Sequence, residues 1–346
     1  MSWIEWIRRS PAPAPQAPAR DLSEPWKIRH EPVASAEDIF YCFRLILGRS
    51  PNPEEWSGHA GRAGSDLDSV LGSYVNSLEF SRRLERFLEN KVDDRIVLRE
   101  LNGFRLYVQA SDLAVGVHIN DAGEYEPQVT AVFRDRIKPG MKVLDIGANI
   151  GYFTMLAASL TGPGGHVMAI EPNAGNVKLL EASRRANAFE QVTVVQAAAG
   201  RELGLLVLNT SHSNGTTSPL SQDLRSLMDS TTVPSLKIDD LVPKDQRIDF
   251  IKIDVEGAEY NALAGASELI RRCRPTIASE FGPDMMPSIS GVQGPVYLQF
   301  LIDCGYRISV LERDGEVTDC GQDPQRVMAA YLQSGIDHID ILMDPM

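Results

Sequence analysis

The sequence predicts a doubly wound α/β protein, a mostly parallel sheet with helices on both faces, preceded by a small helical unit. Three observations carry this. From Lys142 onward, strand-like apolar runs alternate with helical stretches, the pattern of a parallel sheet. The stretch VLDIGANIGYFT, residues 143–154, reads as a buried strand, a glycine turn and the start of a helix. Acidic residues stand where predicted strands end, at Asp145, Glu171, Asp254 and Glu280, on the carboxyl edge where open α/β sheets bind ligands.

The 346 residues suffice for two domains, or one large domain with an appendage. A net charge of −13 argues against nonspecific nucleic-acid binding, which depends on Lys and Arg contacts to phosphate. Cys42, Cys273, Cys304 and Cys320 form no C-x-x-C pair, so buried, reduced thiols and a cytoplasmic location are expected. The six histidines lack metal-ligand spacing and no metal is expected from them. No run approaches the length of a membrane span, and the first residues carry no signal-peptide core.

The elements follow in order. Residues 1–35 read as a tail and linker. In MSWIEWIRR, Trp3, Trp6 and Ile7 share a helical face backed by Arg8 and Arg9. That is the pattern of a weak peripheral membrane or partner contact, with a frayed tail as the plainer alternative. The alternating Pro and Ala of 10–20 predict an extended linker. Residues 36–91 read as helices: Ile39, Phe40, Phe43, Ile46 and Leu47 recur at helical spacing, Gly48 stops the run, and Pro53 suits a first helical turn. Ser65 and Asp68 look like a capping pair.

Residues 92–346 form the larger domain. Asn102-Gly103 between RIVLREL and FRLYVQA predicts a hairpin. Strands are expected near 142–147, 166–171, 191–197, 248–254, 275–280, 306–311 and 338–343, and helices near 151–160, 173–186, 258–270 and 294–303. An irregular polar insert is expected over about 200–240.

The turn after the first of these strands resembles a dinucleotide fingerprint with two glycines replaced, by Asn149 and Tyr152. Gly147 permits close backbone approach to a ligand, and Gly151 close packing of the helix. Asn149 tolerates left-handed backbone angles and carries an amide. Free amides at the helix start favour an anionic group. Glu171 follows Gly151 by twenty residues, the place for an acid that accepts ribose hydroxyls. Both NAD and S-adenosylmethionine (SAM) fit so far. Asn149 stands where a pyrophosphate would need a second glycine, which favours SAM. Capping by Asp145 and Glu171 is the plainer alternative.

GEYEPQVTAVFRDRIKPGMKVLDIGANIGYFT, IEPN and IKIDVEGAE together resemble the FkbM-type family of SAM-dependent methyltransferases, over roughly residues 95–345. The resemblance implies the class I methyltransferase fold, with seven strands of which the last is antiparallel. It implies SAM against Asp145, Gly147, Ala148, Asn149, Gly151 and Tyr152. The ribose would lie on Glu171 with Pro172 and Asn173 nearby, the adenine beside Ala197 and Ala198, and Tyr125 and Glu126 at the methionine end. Tyr41, Arg44, LGRSP and SLEF resemble a small helical domain of unknown function, often found ahead of glycan-modifying enzymes. A docking role is expected of it, with simple structural support as the alternative.

For the chemistry, Asp254 falls at a strand end, and a charge there is hard to explain as packing. Glu256 and Glu259 stand in or before a first helical turn, where negative charge is also locally stabilising. Candidate bases are Asp254, Glu256, Glu280 and His212. Asp254 and Glu280 on one sheet edge can bind acceptor hydroxyls, share a proton or hold a divalent ion. Lys252 offers an ion pair. The expectation is O-methylation of a hydroxyl on a sugar, glycan or small molecule. The alternatives are a SAM-fold scaffold without catalysis and a nicotinamide oxidoreductase.

Overall fold

The computed structural model describes residues 32–83, 96–110, 112, 119, 123–209 and 215–346. The chain divides into two compact units, 1–92 and 93–346. The tail and linker read at 1–20 lie outside the described residues.

In the first unit, the helix Ala36–Tyr41 starts on a capping box between Ser35 and Asp38 and continues as a π-helical turn, Cys42–Leu47. Gly48 ends it at a φ of 72°. The helix Pro53–Ala60 has a second capping box, Asn52 with Glu55. The helix Leu67–Val75 is capped by Asp66, whose side chain accepts from the Ser69 amide, not by the expected Ser65 and Asp68 pair. Asp66 sits three residues before a free amide, and that spacing decides the cap. Ile39, Phe43, Leu47, Val70 and Tyr74 form the core, while Phe40 lies at the surface.

The second unit opens with the hairpin of β1 (Ile96–Leu101) and β2 (Phe104–Gln109), turning at Asn102-Gly103. The later strands are β3 (Lys142–Ile146), β4 (His166–Ile170), β5 (Val192–Val195), β6 (Ala198–Ala199), β7 (Gly204–Asn209), β8 (Thr216–Ser218) and β9 (Thr231–Leu236). Then come β10 (Phe250–Ile253), β11 (Thr276–Phe281), β12 (Tyr306–Leu311), β13 (Val317–Gly321) and β14 (Ile339–Pro345). The main sheet has the order β13-β12-β14-β11-β10-β3-β4-β5. β5, β4, β3, β10 and β11 are parallel, while β14 runs antiparallel to both β11 and β12.

The sheet is thus mixed α/β with eight strands, where seven were expected. The eighth, β13, pairs antiparallel with β12 on the sheet edge. Its residues are mostly exposed, so no apolar run announced it. The insert over 200–240 is also more regular than expected. β6, β9, β7 and β8 form a second, four-stranded sheet. The helix expected over 258–270 is two helices, Glu259–Ala264 and Ser267–Cys273. They break at Gly265, where a Cβ would lie 2.0 Å from the Gly200 carbonyl oxygen. Helices Pro127–Arg136 and Pro324–Ser334 were not foreseen.

The central strands are buried on both faces, with two apolar clusters. Leu144, Ile146, Ile251 and Ile253 belong to one; Val143, Val167, Phe250 and Phe153 belong to the other. This places the polar chemistry at the strand ends. Among the described residues no helix is long and apolar enough to cross a membrane. The four cysteines are free.

Candidate active site

The residues that follow β3, β4, β5 and β10 build one crevice. After β3 the backbone turns left-handed three times, at Gly147 (φ 78°), Asn149 (φ 51°) and Gly151 (φ 95°). A Cβ on Gly147 would lie 1.7 Å from the Asp254 carbonyl oxygen. The close approach that demands glycine is therefore to the end of β10. A Cβ on Gly151 would meet Leu180 Cγ at 2.7 Å, so that glycine serves the neighbouring helix Ala174–Ala186. Asn149 holds its turn locally, its Oδ1 accepting from the Ile150 amide at 2.8 Å.

Glu171, at the end of β4, is 5% exposed. Its carboxylate accepts from the Asn149 amide (2.9 Å), the Asn173 amide (2.8 Å) and, more weakly, the Asn176 side chain (3.4 Å). Burial pushes its carboxyl up, opposed by these donors. Gly147, Asn149, Glu171, Pro172, Ala197 and Ala198 all line the crevice, which measures about 570 Å³ out to its open mouth. Sequence reading missed Asn176, Gly215, Thr217 and Val255, which line it too. Thr217 lies in β8 of the small sheet and Gly215 just before it, where no motif marked them.

Other expected cofactor residues sit behind the lining. Asp145 is wholly buried and does not line the crevice. Its Oδ2 accepts from the Thr154 hydroxyl at 2.5 Å, and its Oδ1 has no partner. Ala148, Gly151 and Tyr152 are buried. The Tyr152 ring packs against Phe104, Tyr125 and Phe153. Asn173 caps its helix, its side chain accepting from the Gly175 amide.

A second, smaller pocket adjoins the first. Its charged lining is Glu126, Lys252, Asp254, Glu280 and Asp340. Lys252 is 5% exposed, with Nζ 2.9 Å from Asp254 Oδ2 and 5.0 Å from the Phe153 ring centroid. Glu280 and Asp340 face one another across β11 and β14. Burial and the neighbouring Asp254 push both carboxyls up. Burial pushes Glu126 up to about 8. Asp340 escaped the sequence reading because only the antiparallel pairing of the last strand brings it to this edge.

The fold thus gathers Asp254, Glu256 and Glu280, whose nearest oxygens lie within 4.8 Å of one another. His212 lies outside the described residues. Glu259 is wholly buried and its carboxyl is pushed up to about 7 by that burial. Its Oε1 accepts from the amides of Val255 and Gly257.

Residues 145–308 match the family model described as the methyltransferase FkbM domain. No curated protein matches the chain. Among solved structures it is similar to methyltransferase FkbM from Methylobacillus flagellatus KT. That match has 19% identity and a TM-score of 0.36, and covers 62% of this chain and 50% of that one. The chain therefore spans about half the length of that protein. A SAM-dependent methyltransferase from Aquifex aeolicus matches at 17% identity and a TM-score of 0.36, covering 67% of this chain and 94% of that one. Fibrillarin from Aeropyrum pernix, in complex with natively bound S-adenosyl-L-methionine, matches at 11% identity and 0.38, covering 72% and 100%. Over residues 145–308, just under half of its length, the chain is thus similar to the methyltransferase FkbM domain.

Proposed function

We propose that the crevice along Gly147, Asn149 and Glu171 holds SAM, and that the adjoining carboxylate pocket receives a hydroxyl of a sugar, glycan or small molecule for O-methylation. One observation carries the reading: Asp254 lines both hollows. A group held at that boundary can serve two ligands that must meet end to end.

The residues present fit the cofactor. Glu171 is a buried carboxylate at the crevice wall, suited to accept from ribose hydroxyls. Ala197 and Ala198 offer a small apolar surface for adenine. SAM, when bound, supplies a methyl group already activated by its sulfonium. The chain's own work is to hold the acceptor in line, which contributes up to ~7–11 kcal/mol, and to take its proton, typically ~10²–10⁴-fold. Asp254 is the base in this reading, oriented by its ion pair with Lys252. Glu280 and Asp340, whose carboxyls are pushed up by burial and by Asp254, line the acceptor pocket and offer polar contacts to acceptor oxygens. Glu256 lines the crevice, with a carboxylate oxygen within 4.8 Å of those of Asp254 and Glu280.

The strand order supports the finer fold assignment. Without β13, the sheet is β12-β14-β11-β10-β3-β4-β5 with β14, last in the chain, antiparallel. That is the arrangement the class I reading requires. The first unit is assigned a docking role, supported by its own compact core.

Calorimetry with SAM and with NADH tests the cofactor, and only SAM should bind. Asp254→Asn should keep SAM affinity within about threefold while methyl transfer to a panel of labelled sugars and alcohols falls by ~10²–10⁴. Full transfer in that variant removes Asp254 as the base.

A further inference from the structure

We propose that Glu259 is a positioning residue: its carboxylate is the peg that holds the left-handed turn Val255–Gly257 and so aims Asp254 and Glu256 into the crevice. The inference rests on the reading of that crevice as the SAM site.

The turn needs holding. Glu256 has a φ of 54° and Gly257 a φ of 92°. A non-glycine residue in the left-handed region costs on the order of 1 kcal/mol or more and persists only where its surroundings impose it. Glu259 Oε1 accepts from the Val255 amide at 3.0 Å and the Gly257 amide at 3.1 Å. These amides belong to the residues before and after Glu256, so one oxygen ties the chain on both sides of the strained residue. The Ser290 hydroxyl donates to the Gly257 carbonyl at 2.5 Å and ties the far side of the turn. On the near side, the Asp254 amide donates to the Ile146 carbonyl at 3.0 Å, and the Asp254 carbonyl abuts Gly147. The Ala258 amide donates to the Val255 carbonyl at 3.2 Å and closes the turn itself, so Glu259 adds the one side-chain clamp on its amide side among the ties named here.

What the peg governs is the ligand wall. Asp254, Val255, Glu256 and Ala258 line the crevice, while Glu259 does not. Any effect of Glu259 on a ligand must pass through the turn. Stability alone is a poor reason for the residue. Its side chain is wholly buried, and its Oε2 has no hydrogen-bond partner. Burying a carboxyl half-satisfied costs free energy that two amide hydrogen bonds offset only in part. The return is geometric: a fixed direction for two carboxylates.

The test uses the full chain, with SAM as the probe. Glu259→Ala removes the acceptor oxygen and Glu259→Gln retains one. Leu263→Ala, at a buried apolar position on the same helix, controls for simple destabilisation. Two quantities are read: hydrogen exchange of peptides spanning 254–258, and the SAM dissociation constant by calorimetry. Glu259→Ala should speed exchange in that segment and raise the dissociation constant about tenfold or more. Glu259→Gln and Leu263→Ala should each stay within about threefold of the parent for SAM. If Glu259→Ala fails to fold, Glu259→Asp takes its place, because it keeps the charge but withdraws the oxygen by one methylene. The proposal is overturned if the acceptor-less variant binds SAM like the parent, or if Gln or Leu263→Ala weakens SAM equally. Should the parent not bind SAM, the crevice assignment falls instead. The exchange arm then still decides the peg, since unchanged exchange in Glu259→Ala refutes it.

Discussion

The turns after β3 and β10 solve one problem in two ways. Each leaves the sheet through a non-glycine residue in the left-handed region, Asn149 at 51° and Glu256 at 54°. Each is held by a carboxylate: Glu171 accepts one amide of the first turn, Asn149, and one after its own strand, Asn173, while Glu259 accepts two amides of the second turn. The pegs differ in where they stand. Glu171 comes from the end of the neighbouring strand, 22 residues beyond Asn149, and lines the crevice. Glu259 comes from its own turn and is sealed from it. A carboxylate that faces the crevice can hold the backbone and a ligand together. A sealed one can only hold the backbone. In the proposed reading, that difference suits Glu171 to bind and Glu259 to position.

The largest expected effect comes from where the two turns touch. Gly147→Ala would drive a Cβ into the Asp254 carbonyl, and should cost about 3 kcal/mol or more of stability. Denaturant unfolding measures this, and a neutral result would show that the turns do not abut. Next comes the exposed peg. Glu171→Ala should weaken SAM by ~1.5–3 kcal/mol per lost charged hydrogen bond, read by calorimetry. Unchanged affinity would remove Glu171 from the cofactor site.

The sealed peg should show in the pH dependence of stability. Burial raises the Glu259 carboxyl to about 7, so the unfolded chain releases that proton first as pH rises. The stability associated with the neutral acid is complete below about 4.5 and is lost as pH climbs through about 7, at no more than about 1.4 kcal/mol per pH unit. Unfolding curves between those limits should therefore converge less steeply in Glu259→Gln than in the parent. Parallel curves would mean that the group is ionised throughout. The smallest effect is expected from Asn149→Gly. Relief of left-handed strain and added chain entropy offset each other to within about 1 kcal/mol, as thermal melts can check. A greater loss would show that the Asn149 side chain contributes beyond its own turn.

Much of this was legible in the chain itself. Strand ends placed Gly147, Glu171 and Asp254 on one edge, because an apolar run that stops at a polar residue or a glycine marks a strand end whatever it packs against. Glu280 was legible for the same reason. Asp145 read identically, yet it lies beneath the turn with one oxygen on Thr154. Pattern gives a residue's position along the strand but not which side of the following turn it faces. Asp340, Gly215 and Thr217 left no local trace, since their place depends on pairing across the sheets.

Local chemistry by itself specified the alternation of elements, the caps and hairpin, and the residue types at the strand ends. Those features depend on neighbours within a few positions, where propensity and periodicity act. The extra edge strand, the second sheet and the meeting of Glu126, Lys252, Glu280 and Asp340 around Asp254 were decided by packing. Contacts between residues distant in the chain arise from burial and strand pairing, which no short window contains. That is also why two glutamates that each accept from backbone amides came to differ, Glu171 at the crevice wall and Glu259 sealed from it.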